Sequence, residues 1–252
     1  MREQLLRALL VPDLIGLGNN LYPLATGLKN TLSNPWLNAK IPLLTFSKQS
    51  LISPEPDLDP ILRIDTTDCT IHVLTSIAMN SSKNWNETKI KMIDIHYKPD
   101  ENNLKKPNYK TRWHYTSDRI TNNPYTVNIT SDLVSKSELE EIELTLNKKS
   151  DGSEFLNLDW NFKNKFEFIP SELVDSDMLS RLPLTCGIAF VKKSYVKNGI
   201  LIAHEGFVID KKFLVHASSS NKKTVKEDLL SYLNGKKESK FDGVMFYKIP
   251  SN

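Results

Sequence analysis

Residues 203–220, AHEGFVIDKKFLVHASSS, hold two of the chain's five histidines, His204 and His216. A turn-like Asp-Lys-Lys sits midway between them, flanked by the apolar runs ILIAHEGFVI (200–209) and FLVHAS (213–218). The pattern predicts two antiparallel strands joined in a hairpin that turns at Asp210. That register pairs His204 with His216, Glu205 with Val215 and Phe207 with Phe213. Directly opposed side chains share a face, with Cβ atoms about 4.5–5.5 Å apart. Two imidazoles so placed can share a hydrogen bond, and one can then fix the tautomer of the other. A one-residue slip would send them to opposite faces. Spacing alone also leaves room for two unrelated histidines near a sheet edge.

Outward from this hairpin, the second half of the chain reads as strands. YTVNIT (125–130), IELTLN (142–147) and FLNLDWNFKNKFEFI (155–169) alternate apolar and polar residues, and CGIAFVKK (186–193) and GVMFYKI (243–249) are short apolar runs. TVKEDLLSYLNG (224–235) reads as a helix stopped by Gly235. The first half is helical. In TTDCTIHVLTSIAMN (66–80), Val73, Leu74, Ile77 and Ala78 form one stripe, with Asp68 as N-cap. NWNETKIKMIDIHY (84–97) predicts a second helix with Ile90, Ile93 and Tyr97 on one face. SPEPDLDP (53–60) is an irregular loop. Helices first and strands later is the α+β pattern. One catalytic domain over 1–252 is expected, with an N-terminal helical segment (1–65) and an elaborating insertion at about 100–170.

Composition narrows the function classes. A net charge of +3 over 252 residues, with lysines dispersed and no basic motif interleaved with aromatics, gives no footprint for nucleic acid. No run of eighteen apolar residues exists, so no membrane-spanning helix is expected. Residues 1–27, broken by Pro12 and Asp13, read as a helix and loop of the mature fold rather than a signal peptide. Two cysteines cannot make a disulfide framework.

Cys69 stands at the predicted start of a helix. Backbone N–H groups without helical partners and the positive end of the dipole favour thiolate over thiol there. The same N–H groups can bind an oxyanion. A helix-start cysteine plus a histidine steadied by a second polar group is an activated-nucleophile arrangement. Cys186, inside a strand run, reads as a core thiol. A metal site remains a rival, because Cys69 and His72 lie three apart and two further histidines are at hand, yet no CxxC accompanies them.

DCTIHVLTSIA followed by AHEGFVIDKKFLVHASSS resembles the papain-like, NlpC-type cysteine hydrolases of bacterial cell walls. NPWL near residue 35, RWHYTSDRITNN (112–123), RLPLTCGIAFVKK (181–193), HASSSNKKTVKEDLLSYL (216–233) and GVMFYKI, in that order, resemble one branch, the N-acetylmuramoyl-L-alanine amidase-like family. The resemblance covers roughly residues 30–250. It implies a papain-like fold with N-terminal helices packed on a C-terminal antiparallel sheet. It also implies Cys69 as nucleophile, His204 as general base and His216 as the group orienting it. Asp68 would cap the helix or touch substrate, and Arg112, His114 and Tyr115 would lie near the substrate groove. Trp36 stands where relatives show an oxyanion-binding tyrosine. Glu205 and His72 depart from the family pattern.

The implied reaction is cleavage of the bond between N-acetylmuramic acid and L-alanine in peptidoglycan fragments, including anhydro forms, with no cofactor. The implied location is periplasmic or secreted. An endopeptidase cutting between L-alanine and γ-D-glutamate, and a non-catalytic muropeptide-binding protein, are the rival readings.

Overall fold

The computed structural model describes residues 61–62, 67–235 and 240–249. Trp36, the proline-rich loop at 53–60 and nearly all of the expected helical segment 1–65 lie outside the described residues. The chain divides into two compact units, Met1–Arg112 with Ser251–Asn252, and Trp113–Pro250.

In the first unit, α1 (Cys69–Asn80) packs against α2 (Trp85–His96). Asp68 caps α1 as expected, its carboxylate accepting from the Ile71 N–H at 2.8 Å. His72 through Met79 are all buried, so α1 is a core helix rather than an amphipathic one. Asn84 caps α2 by accepting from the Glu87 N–H at 3.0 Å, and Glu87 accepts in return from the Lys83 N–H at 2.7 Å. The buried face of α2 is Thr88, Met92, Ile95 and His96. Its expected stripe is therefore rotated: Ile90 is 62% exposed and Ile93 half-buried, while Tyr97 just past the helix is buried. A single β-bridge joins Tyr97 to Arg112.

The second unit is built on an antiparallel sheet. Its strands are β1 (Val127–Asn128), β2 (Glu140–Leu146), β3 (Phe162–Pro170), β4 (Thr185–Val191), β5 (Ile202–Ile209), β6 (Phe213–Ser218), β7 (Lys223–Asp228) and β8 (Gly243–Lys248). They run in the order β2-β3-β8-β4-β5-β6-β7, with β1 also paired to β8. The last strand in sequence is thus central. β4 and β8 are buried along almost their whole length, which matches their unbroken apolar runs. Three short helices accompany the sheet: α3 (Thr116–Asn122), α4 (Ser176–Ser180) and α5 (Leu229–Asn234).

Alternation along the strands sorts side chains to two faces. One face carries Ile188, Phe190, Val208, Leu214, Val244 and Phe246 into a core closed by Met178 and Leu179 of α4 and Leu229 and Leu233 of α5. The other carries Glu205 and Tyr247 toward Arg119 of α3.

This architecture corrects the expected fold. The α+β, papain-like (NlpC-type) arrangement, with N-terminal helices packed on a C-terminal sheet, is not supported. Among the described residues the chain forms an eight-stranded antiparallel sheet with few helices. Residues 140–146 and 162–170 pair with each other along seven residues and join the sheet through Ile169 and Pro170 against β8. The sheet is thereby widened, and its apolar face is covered by short helices from the same half of the chain.

Two further elements differ from expectation. Of the long alternating stretch 155–169, only 162–169 becomes strand, as part of β3. Residues 224–228, expected as the first turn and a half of a helix, form most of β7 instead, and Asp228 caps the shorter α5 by accepting from the Ser231 N–H at 2.9 Å.

Candidate active site

The β5–β6 hairpin forms, but its register differs by two residues from the expected one. Phe207 opposes Val215, Val208 opposes Leu214 and Ile209 opposes Phe213. Ile209 stays in the strand, and Asp210 and Lys211 make the turn with φ of 55° and 58°, closed by the Lys212 N–H donating to the Ile209 carbonyl at 3.2 Å. Positive φ at both central positions is the type I′ geometry that suits a twisted hairpin. Moving the turn centre by one residue moves the register by two, so every side chain keeps its face. His204 and His216 become diagonal neighbours on a shared face, and their rings still meet. Nε2 of His204 lies 2.7 Å from Nδ1 of His216, with the rings near-perpendicular at 81°.

The continued register sets His216 across from Gly206. A Cβ at Gly206 would stand 2.9 Å from the His216 Cβ and 2.7 Å from the Val215 carbonyl oxygen. The missing side chain is what lets the strands and the two rings close up.

β7 adds a third member. His216 Nε2 lies 2.7 Å from Oε1 of Glu227, two residues along β7 from Val225, the residue opposite His216. The carboxylate accepts, so His216 carries its proton on Nε2 and presents a lone pair at Nδ1. Nε2 of His204 then donates to that lone pair, which leaves the basic lone pair of neutral His204 on Nδ1. Burial pushes the His216 pKa down, against the opposing pull of Glu227, and this favours the neutral ring that the chain of bonds requires.

These three residues line a cavity of about 460 Å³ together with Tyr232, Ser218 and Lys240. Its wall is mixed: an aromatic ring 5.0 Å from His216, hydroxyls from the β6–β7 loop, and one ammonium. The loop is tied down by Asn221, whose Nδ2 donates to the Ser218 hydroxyl at 3.0 Å.

On the opposite face, Glu205 is fully buried. Its carboxylate accepts from the Arg119 guanidinium, from the Thr116 hydroxyl at 2.9 Å and from the Tyr247 hydroxyl at 3.0 Å. Burial opposes the charge of Arg119, and Glu205 beside it more than restores it, so the guanidinium is held protonated. Burial and the same carboxylate push the Tyr247 pKa well up. The charged residue after His204 thus anchors the back of β5 to α3.

Cys69 is the first residue of α1 and half-buried, directly after the Asp68 cap. Cys186 is fully buried in the core of the second unit, and burial pushes its pKa up to about 12. Arg112 is half-buried, with its guanidinium 5.2 Å from the Tyr109 ring centroid. His114 is half-buried. Tyr115 is buried, stacked on Trp160, and its hydroxyl donates to Oδ1 of Asn147 at 2.7 Å; it is not among the residues lining the cavity. Among the described residues no group of three His, Cys, Asp or Glu side chains is placed to hold a metal ion, and no helix is long and apolar enough to cross a membrane.

The fold has solved relatives. A Legionella pneumophila protein is 18% identical, aligns over 76% of this chain and 78% of its own, and superposes with a TM-score of 0.59. An N-acetylmuramoyl-L-alanine amidase from Bacteroides uniformis is also 18% identical, over 81% of this chain and 92% of its own, with a TM-score of 0.56. At these identities the likeness concerns the fold, and it places the eight-stranded sheet with this group rather than with the papain-like arrangement. No curated protein matches the chain. A family model described as N-acetylmuramoyl-L-alanine amidase-like matches residues 45–243. The match spans most of the sequence, including both histidines, Glu227 and Cys69, and the chain therefore belongs to the N-acetylmuramoyl-L-alanine amidase-like family.

Proposed function

We propose that the protein is a cysteine-dependent amidase that cuts the bond between N-acetylmuramic acid and L-alanine in soluble peptidoglycan fragments, anhydro forms included. Family membership supports the reaction class. The observation that carries the reading is the hydrogen-bonded chain His204–His216–Glu227 on the wall of a cavity. It orients His204 and engages its Nε2 proton, so that in the neutral ring the basic lone pair stands on Nδ1, as a general base needs.

Cys69 is the nucleophile. Its place at the capped start of α1 favours the thiolate. The sulfur attacks the lactyl amide carbon, and backbone N–H groups at the helix start receive the oxyanion. His204, protonated on taking the thiol proton, hands that proton to the amide nitrogen. The C–N bond breaks, the peptide leaves with a free L-alanine amine, and the muramoyl group stays as a thioester on Cys69. Water then attacks the thioester while His204 accepts its proton. The sugar leaves as the carboxylic acid, and the thiol is regenerated. Asp68 acts as the cap that fixes Cys69. Arg112, His114, Tyr115 and Trp36 are the remaining proposed substrate contacts. A location outside the cytoplasm, periplasmic or secreted, is part of the proposal and is supported by the cell-wall chemistry of the family. No cofactor takes part in these steps.

Defined muropeptides incubated with the purified protein and read by mass spectrometry test the proposal. The expected products are an intact stem peptide beginning at L-alanine and a sugar without alanine. A sugar that retains alanine would assign the endopeptidase cut instead. Identical products from Cys69→Ala would remove the cysteine mechanism, and binding of intact muropeptide without turnover would mark a non-catalytic receptor.

A further inference from the structure

We infer that Glu227 is a positioning residue: its carboxylate fixes the tautomers of both histidines and so aims the reactive lone pair of His204. The inference rests on His204 being the base, and it adds a residue that neither the family match nor the histidine pair identifies.

The geometry runs through three adjacent strands. β5, β6 and β7 each place one side chain on the same face, and the two links between them are both 2.7 Å. A histidine pair alone has no preferred direction. Either ring can donate to the other, and the two arrangements leave His204 basic at different atoms. Only an acceptor at the far end breaks that symmetry. A carboxylate can accept and cannot donate when ionised, so Glu227 requires a proton on His216 Nε2, which requires one on His204 Nε2. Each proton position follows from the one before.

Other groups around His216 do not supply this constraint. Tyr232 packs its ring at 5.0 Å, and Lys240 brings a positive charge that works against protonation of His216. Neither accepts a hydrogen bond from Nε2. Glu227 keeps 42% of its side-chain surface exposed, so its carboxylate stays hydrated on one side while it orients a buried ring on the other. That partial exposure makes it replaceable without a buried charge being stranded.

The test uses the full chain, nitrogen-15 labelled, with Glu227→Ala and Glu227→Gln alongside. Imidazole nitrogen shifts at neutral pH report which nitrogen of each ring holds the proton. The wild-type protein is expected to show both rings protonated at Nε2. Glu227→Ala is expected to give mixed tautomers on both rings. Glu227→Gln, which keeps an acceptor oxygen, should lie between. In turnover of muropeptides, kcat should fall in the same order, by about 10–100-fold for Glu227→Ala, with KM little changed, as for outer partners that orient a reacting ligand.

Wild-type His204 protonated at Nδ1 would overturn the inference, as would unchanged tautomers in Glu227→Ala. A structural role alone would lower the melting temperature and leave the tautomers as they were. Tautomers that respond as expected in a protein that turns over no muropeptide would sustain the relay and defeat the proposed reaction, so the two failures are separable.

Discussion

His204 and His216 touch through Nε2 and Nδ1 at 2.7 Å although they are not opposed in the hairpin; the residue that faces His216 is Gly206. A diagonal contact between rings needs the strands to lie close, and glycine is what permits it. Replacing Gly206 by alanine puts a methyl carbon 2.7 Å from a backbone oxygen and 2.9 Å from the His216 Cβ. Neither atom lies at the end of a flexible side chain, so the backbone must move. We expect Gly206→Ala to cost about 1–3 kcal/mol, as overpacking in a closed site does, and to lower kcat by separating the rings. Urea unfolding and turnover together check it. A variant as stable and active as wild type would show that the close approach is dispensable.

The two thiols should behave as opposites. Cys186 is buried in the sheet core with its pKa pushed up to about 12, so it is protonated and shielded at neutral pH. Cys69 begins a helix and is half-buried. Iodoacetamide at pH 7 is expected to alkylate Cys69 alone and to abolish hydrolysis in step with its incorporation. Cys186→Ala should keep activity, with a modest stability loss of about 1–2 kcal/mol from the small cavity. Peptide mapping of the alkylated protein checks the first point. Loss of activity that tracks Cys186 instead would reverse the assignment of the nucleophile.

What the sequence disclosed follows from how local each signal is. Asp68 before Cys69 marked a helix start because a cap acts within one turn. The histidine pair was legible because hairpin parity survives an error in the turn: a register wrong by two residues still puts both rings on one face. Glu227 was hidden because TVKEDLLSYL carries leucines at helical spacing, and the strand–helix boundary falls at Asp228 inside it. The widening of the sheet by β2 and β3 was hidden for a different reason. Their alternation announced strands, but the joining of β3 to β8 depends on partners more than seventy residues away in the chain. Glu205 stands out in the sequence only as a departure from the family pattern, because its partner Arg119 is 86 residues distant.

That buried pair yields its own prediction. Glu205 and Arg119 are both essentially inaccessible, and each needs the other. Removing one partner strands a charge away from water, which typically costs about 3–5 kcal/mol. Glu205→Leu and Arg119→Met should each be destabilised by that order. The double variant Arg119→Met with Glu205→Leu should recover much of the loss, because an apolar pair of similar volume has no desolvation to offset. Chemical denaturation of all four proteins gives the coupling energy directly. Additive losses in the double variant would mean that the two groups are not energetically linked.

His216 should make stability depend on pH in a defined direction. Burial lowers its pKa in the folded protein from the ordinary histidine value of about 6.5. Between the folded value and about 6.5 the unfolded chain binds more protons than the folded one, so stability falls as pH falls. The contribution of the neutral ring is present above about pH 6.5 and is lost as pH drops through the folded value. The groups facing His216 shape this window: Glu227 raises its pKa, Lys240 lowers it, and the His204 ring and Tyr232 pack against it. Other groups also change charge over this range, so the comparison is between proteins rather than within one. Urea midpoints from pH 7.5 to 5 should decline more steeply for the wild type than for His216→Gln, which has nothing to protonate at that position. Turnover should share the acid limb, because a protonated His216 cannot accept from His204 Nε2. Equal slopes in the two proteins would show that His216 takes up its proton as readily in the folded state as in the unfolded one, and the neutral, accepting ring would have to be abandoned.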